Sequence, residues 1–217
     1  MHLSWNIFNL LIKTEWVKNS NPLARSINYK MYKKLNLGSG DKKIEGFLNL
    51  DKFDTFKPDI VHDLENFPYP FSDNEVDEIK LIHVLEHIGK DPDIYIKILK
   101  ELYRICINEA LIHIIVPHPR HDDFLSDPTH VRPITTMGLL LFDRELNEKW
   151  IELGAANTPM AVIHNVNFKI IKNEISLEKK YDELYKNKKI STQVLEEYIN
   201  KYNNVVKQTY YILKVIK

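Results

Sequence analysis

The hydrophobic and polar positions of the chain predict short strands separated by turns or helices. Seven apolar or β-branched runs are typical of strands, at residues 33–37, 48–51, 59–62, 77–83, 110–116, 168–171 and 208–216. Between the fourth and fifth runs, Asp91 and Pro92 supply an N-cap and a first-turn proline for a helix. The apolar residues of that helix share one side, namely Ile94, Ile98, Leu99, Leu102 and Ile105. The last two runs flank a charged stretch that predicts further helices.

This order of elements predicts an α/β fold with a mostly parallel sheet whose faces are covered. Ligands of such sheets bind outside the carboxyl ends of the strands. Polar or glycine residues end four of the predicted strands at that edge: the turn 38–40, Asp51, Asp63 and His83. Their coincidence is the main functional signal in the sequence.

Composition limits the class of protein. The chain has 217 residues, of which 44% are hydrophobic and 28% charged, as expected for one globular domain with a substantial core. Thirty basic and thirty acidic residues balance, so nothing favours nucleic acid or an anionic membrane as partner. The single cysteine, Cys106, excludes an internal disulfide and fits a reducing compartment, so we expect a cytoplasmic protein. We expect Cys106 to be a small core residue of the helix.

The amino-terminal segment predicts a helix rather than a membrane span or signal peptide. Its apolar stretch is interrupted by Asn6, Asn9 and Lys13 and lacks a basic start and a cleavage site. Apolar residues recur at helical spacing at Trp5, Phe8, Leu11 and Ile12. We expect a helical cap over residues 1–30, followed by a single domain over residues 31–217; an interfacial membrane helix is the alternative.

The glycine turn after the first strand indicates close approach of a ligand. Gly38 and Gly40 have no Cβ, so the backbone can bend sharply there. A dinucleotide fingerprint requires a third glycine where Lys43 stands, so a pyrophosphate site is poorly supported. Only residues 41–47 separate the turn from the second strand, too few for an ordinary helical crossover.

Two strand-end acids are suited to a nucleoside. Asp51 can accept two hydrogen bonds from a ribose diol, and charge-assisted hydrogen bonds are the stronger kind. Asp63 can accept one from an adenine amino group, while the Leu64 N–H faces a ring nitrogen. The alternative for either acid alone is a strand-end cap or turn former.

Two stretches, KLNLGSGDKKIEGFLNLDKF and DIVHDLENFPYPFSDNEVDEIKLIHVLEHI, resemble class I S-adenosylmethionine-dependent methyltransferases. The resemblance covers roughly residues 33–117. It implies a Rossmann-like three-layer sandwich with a seven-stranded, mostly parallel sheet and an antiparallel C-terminal strand, with S-adenosylmethionine lying across the glycine turn.

The resemblance also implies a set of cofactor contacts. It places the methionine part at Asn36, Leu37, Gly38, Ser39 and Gly40, the ribose at Asp51, the adenine at Asp63 and Leu64, and the reacting methyl near His83. Two departures indicate a divergent branch. Asn36 stands where the family usually has an acid, and residues 107–109 replace a frequent Pro-Gly-Gly.

A polar segment, residues 117–133, follows the fifth strand and begins a predicted substrate-side insertion over about 117–160. The candidates in it for substrate orientation or proton removal are His118, His121, Asp127 and His130. One alternative is that these side chains merely hold a loop together. Another is a divalent metal bound by His118, His121, Asp122 or Asp123, and His130. His87 is expected to anchor a turn.

The sequence therefore predicts a cytoplasmic methyltransferase that transfers a methyl group from S-adenosylmethionine to an oxygen or nitrogen of a small or medium-sized acceptor. A sugar or cell-envelope precursor is the expected acceptor type, by association with similar enzymes. No nucleic-acid partner is expected. The alternatives are a catalytically silent methyltransferase-like binding subunit and a metal-dependent hydrolase built on the 118–130 cluster.

Overall fold

The computed structural model describes residues 33–217, so the expected helical cap over residues 1–30 lies outside the described residues. Seven strands form a single sheet in the spatial order β3-β2-β1-β4-β5-β7-β6. The strands are β1 (Lys33–Leu37), β2 (Leu48–Asp51), β3 (Ile60–Val61), β4 (Val76–Ile82), β5 (Cys106–Pro117), β6 (Phe168–Leu177) and β7 (Val206–Val215). The first five pair in parallel, and β7 runs antiparallel to both of its neighbours. The predicted Rossmann-like fold class is confirmed.

The register of the central strands brings their carboxyl ends level. Leu37 of β1 pairs with Leu50 of β2 on one side and with Leu81 of β4 on the other. Asp51 pairs with Val61 of β3. The residues that follow these pairs, including the glycine turn and His83, therefore meet at one edge of the sheet.

The helix between β4 and β5 forms as its sequence predicts. α1 (Pro92–Ile105) is capped by the Asp91 side chain, which accepts hydrogen bonds from the N–H groups of Asp93 and Ile94. Its buried residues are Tyr95, Ile98, Leu99, Leu102 and Ile105, and they pack into the core with the apolar residues of β1, β4 and β5.

Cys106 corrects one detail of the sequence interpretation. The helix ends at Ile105, so Cys106 is the first residue of β5 rather than part of the helix. The residue is fully buried, as expected for a core cysteine. Burial raises the pKa of its thiol to about 12, so it stays protonated and unreactive near neutral pH.

Six further helices follow β5: α2 (Asp122–Leu125), α3 (Thr136–Leu140), α4 (Arg144–Glu152), α5 (Met160–His164), α6 (Lys179–Lys186) and α7 (Thr192–Lys201). None of the described helices combines the length and apolar character that crossing a bilayer requires. β6 extends to Leu177, well beyond the predicted 168–171, because it pairs with β7 along its whole length. The second half of β6 is mostly exposed and polar, so its sequence lacks the apolar run from which a strand is predicted.

Candidate functional site

The glycine turn after β1 opens onto free space. Gly38 and Gly40 both have left-handed backbones, with φ of 66° and 50°. A Cβ on Gly38 would lie 2.6 Å from a methyl group of Val84, whereas a Cβ on Gly40 would meet no atom within 4 Å. Gly38 is thus required for packing against the loop after β4, and the space beside Gly40 is available to a ligand.

Asp51 is fixed against this turn at the end of β2. Its Oδ2 accepts a hydrogen bond of 2.8 Å from the Gly40 N–H, and its Oδ1 accepts one of 2.9 Å from the Phe53 N–H. The residue is 8% exposed. Because each carboxylate oxygen can accept more than one hydrogen bond, the carboxylate keeps capacity for hydroxyl groups of a ligand.

The loop between β1 and β2 is held by asparagine side chains instead of a crossover helix. Asn49 Oδ1 accepts hydrogen bonds of 2.8 Å from the Ile44 N–H and 2.9 Å from Asn36 Nδ2. Asn49 Nδ2 donates to the Phe47 carbonyl and to Asp59. Asp59 Oδ2 also accepts a hydrogen bond of 2.7 Å from the Asn49 backbone N–H, and this bond, together with that from Nδ2, lowers the pKa of Asp59. The sequence interpretation missed Asn49, although an asparagine inside an apolar strand was a usable signal.

Two of the predicted cofactor residues lie beneath the turn. Asn36 is 3% exposed, and its Nδ2 donates to the Lys42 carbonyl as well as to Asn49. Leu37 is fully buried in the core. Their side chains therefore shape the turn from below, while Ser39, 6% exposed, sits at its centre with its N–H bonded to the Leu50 carbonyl.

The predicted adenine contacts lie in the loop that follows β3. Asp63 Oδ1 accepts a hydrogen bond of 2.9 Å from the Glu65 N–H, which makes a tight turn. Buried Leu64 is held through its carbonyl, which accepts a hydrogen bond of 2.9 Å from the Tyr69 hydroxyl. Burial raises the pKa of Tyr69, so its hydroxyl remains a donor. Glu65 accepts a hydrogen bond from the Gly89 N–H, which links this loop to the one after β4.

His83 has a strained backbone where β4 ends. Its φ is 55°, a left-handed value uncommon for a residue with a side chain, and its N–H donates to the Ile115 carbonyl over 2.8 Å. The side chain is 45% exposed, and Nδ1 lies 3.5 Å from Glu86 Oε1. Strain of this kind concentrates at functional sites.

Known structures share this arrangement of strands. A SAM-dependent methyltransferase from Archaeoglobus fulgidus superposes with a TM-score of 0.56 and 19% identity, covering 86% of this chain and 87% of that one. The chain has the class I methyltransferase fold. A SAM-dependent methyltransferase from Methanosarcina mazei is also similar, with a TM-score of 0.49, 12% identity and coverage of 89% and 98%. No family model and no curated protein matches the sequence.

The described residues fit the cofactor that this methyltransferase fold implies. S-adenosylmethionine presents a ribose diol, an adenine and a charged methionine. The free space beside Gly40 and the spare acceptor capacity of Asp51 suit the nucleoside, and both lie at the edge where such sheets bind ligands.

In the segment after β5, His118 and His121 make contacts within the protein. His121 is 5% exposed and caps α2: its Nδ1 accepts from the Asp123 N–H over 3.0 Å, and its Nε2 lies 3.2 Å from Glu178 Oε2. His118 Nδ1 accepts from the Arg120 N–H over 3.2 Å. Burial lowers the pKa of His118, and the positive charge of Arg120 adds to the effect.

Asp127 and His130 lie in a different cluster of the same segment. Asp127 Oδ1 accepts from both the N–H and the hydroxyl of Thr129, and these hydrogen bonds lower its pKa. The His130 ring stacks on Phe124, with 5.2 Å between centroids, and lies 4.5 Å from the His87 ring. His87 does anchor a contact, since its Nδ1 is 2.9 Å from Thr129 Oγ1. Among the described residues, His130 thus lies beside His87 and forms no group of potential metal ligands with His118 and His121, as the alternative metal site would require.

Glu86 was not singled out from the sequence. It belongs to a short 3-10 helix, Leu85–His87, and is fully buried. Its backbone carbonyl accepts hydrogen bonds from the N–H groups of Val131 and Arg132. This contact holds the segment after β5 against the end of β4.

Proposed function

We propose that the chain is a methyltransferase that uses S-adenosylmethionine to methylate an oxygen or nitrogen of a small or medium-sized acceptor. One observation carries the proposal. In a methyltransferase fold, the Gly40 N–H and the Asp51 carboxylate are bonded to each other at the ligand-binding edge of the sheet, beside open space.

Different residues at this edge would hold the different parts of the cofactor. Asp51 would accept hydrogen bonds from the ribose hydroxyls, and the turn 38–40 would contact the methionine part. Asp63 and the Leu64 backbone would contact the adenine. His83, which directly follows β4, would be close to the reacting methyl group.

When bound, S-adenosylmethionine supplies a methyl group activated by the sulfonium. The protein must then align the acceptor, exclude water and take up a proton if the acceptor is a hydroxyl or an ammonium. Among the candidates for substrate orientation or proton removal we favour His130, because its ring lies beside His87 in the loop that begins at His83. Residues 117–160 form the acceptor side of the site in this proposal.

Calorimetric titration with S-adenosylhomocysteine, the product of methyl transfer, tests the cofactor site directly. We expect saturable binding of one molecule per chain. Absence of binding at about millimolar concentration, roughly the −4 kcal/mol level, by protein that unfolds cooperatively would overturn the proposal. Transfer from labelled cofactor to a component of a lysate then separates an active enzyme from a silent binding subunit.

A further inference from the structure

Three side chains with metal-ligating chemistry meet beside the carboxyl ends of β4 and β5. Glu86 and His87 belong to the 3-10 helix after β4, and His130 belongs to the segment after β5. One potential ligand atom from each lies within 4.8 Å of the others. The group begins three residues after His83, next to the proposed cofactor edge.

The carboxylate of Glu86 lacks a hydrogen-bond partner. The side chain is fully buried, and among the described residues neither of its oxygens accepts a hydrogen bond. His83 Nδ1 lies 3.5 Å from Oε1, which is within ion-pair distance but is not a hydrogen bond, and the His83 side chain is 45% exposed. Buried carboxylates are normally paired with a cation or coordinate a metal. Glu86 therefore points to a cation that binds here.

In both histidines Nδ1 is engaged in a hydrogen bond, which leaves Nε2 as the nitrogen that can bind a metal. The Thr129 hydroxyl donates its one proton to Asp127, so the neutral His87 ring must carry its proton on Nδ1 to bond with Thr129. His130 Nδ1 lies 2.8 Å from the Phe124 carbonyl, which can only accept, so it too carries the proton. Nε2 of each ring keeps its lone pair for a metal.

We propose that Glu86, His87 and His130 bind one divalent transition-metal ion. Two neutral imidazoles and a carboxylate suit ions such as Zn²⁺, Co²⁺ and Mn²⁺. Bonds of about 2.1 Å to a central ion bring the ligand atoms to about 3.4 Å from one another, so their present spacing of at most 4.8 Å shortens by at most about 1.4 Å on binding. Thr129 and the Phe124 carbonyl hold the rings through Nδ1, as partners of metal-bound histidines do.

Three protein ligands leave at least one coordination position open, as in catalytic metal sites. A water molecule or a hydroxyl group of the acceptor can occupy this position, and the bound ion would lower the pKa of that water or hydroxyl group. This role rests on the proposed function, whereas metal binding itself does not.

The test is a titration of chelator-treated, untagged full-length protein with Co²⁺, followed by visible absorption and calorimetry, with Zn²⁺ as competitor. We expect one ion per chain and visible bands that Zn²⁺ removes. The variants Glu86→Gln, His87→Asn and His130→Asn should each weaken Co²⁺ binding by at least about hundred-fold, more than loss of an outer partner of a ligand costs. The control His164→Asn, in α5, should bind as the parent does.

Thermal unfolding of every variant shows whether it has folded. Only the Co²⁺ affinities of folded variants are compared with that of the parent. Failure of the folded parent to bind Co²⁺ saturably, or binding that the ligand variants leave unchanged, overturns the metal site. S-adenosylhomocysteine titrated in chelator separates the two proposals. If S-adenosylhomocysteine binds and Co²⁺ does not, only the proposed metal site is wrong. If Co²⁺ binds and S-adenosylhomocysteine does not, only the proposed function is wrong.

Discussion

The backbone N–H of Gly40 donates a 2.8 Å hydrogen bond to the Asp51 carboxylate, across two neighbouring parallel strands. The bond locks the turn after β1 to the end of β2. It also holds the carboxylate beside Gly40, where an added Cβ would meet no atom within 4 Å. The proposed cofactor site is therefore built into the sheet rather than carried by a separate loop.

Replacing Asp51 should weaken the binding of S-adenosylhomocysteine. Asp51→Ala removes charged hydrogen bonds to the ribose and should cost about 1.5 to 3 kcal/mol of binding free energy, about ten- to hundred-fold in affinity, by calorimetry. Asp182→Ala, which removes an exposed aspartate of α6, is the matched control. Equal affinities for the two variants would argue against a ribose contact at Asp51.

Alanine at the two glycines should separate packing from ligand access. Gly40→Ala meets no neighbour, so it should lose only about 1 to 2 kcal/mol of stability from its left-handed backbone, yet bind S-adenosylhomocysteine poorly. Gly38→Ala also clashes with Val84 and should lose about 2 to 4 kcal/mol. Urea unfolding and calorimetry measure the two effects. Full affinity in Gly40→Ala would place the ligand elsewhere.

Asn49 should be essential to the loop between β1 and β2. Asn49→Ala leaves the Ile44 N–H and Asn36 Nδ2 without their acceptor in a largely buried place, which should cost about 2 to 4 kcal/mol of unfolding free energy. Urea denaturation measures the loss. Asn157→Ala, at an exposed position, should change stability little. A loss in Asn49→Ala no larger than in this control would show that the loop has other support.

Stability should fall as the pH drops from about 7 to about 5.5. Burial lowers the pKa of His118 below its ordinary 6.5, so the unfolded chain takes up a proton at a higher pH than the folded chain does. Lowering the pH therefore stabilises the unfolded state relative to the folded state. His113 has the same shift for the same main reason. Urea unfolding across this range should show the decline, and His118→Gln should make it shallower. An unchanged slope in the variant would contradict a partly buried His118 that resists protonation in the folded state.

The sequence predicted the cofactor edge because parallel strands impose few choices. Apolar runs defined the strands, and residues that follow neighbouring parallel strands must meet at one edge. The sequence alone therefore places the glycine turn, Asp51 and His83 at one edge of the sheet. Their actual contacts to a cofactor stay predictions.

The sequence was less informative about polar contacts between distant segments. His121 looks like a catalytic candidate in a polar loop, yet in the structure it caps α2 and contacts Glu178, 57 residues later. Asn49 holds the loop between β1 and β2, which stands where a crossover helix would normally be. Neither contact leaves a periodic pattern, because each depends on a single side chain and on the path of the backbone.

The sequence alone determined the positions of the strands, a mostly parallel sheet and the edge at which that sheet would bind a ligand, because strand positions follow from local hydrophobic periodicity. Only the tertiary structure decided which histidines meet. The N–H groups of Val131 and Arg132 bond to the Glu86 carbonyl and bring His130 against His87, far away along the chain. Such a juxtaposition depends on how two loops pack after the sheet has formed, and sequence spacing carries no record of it.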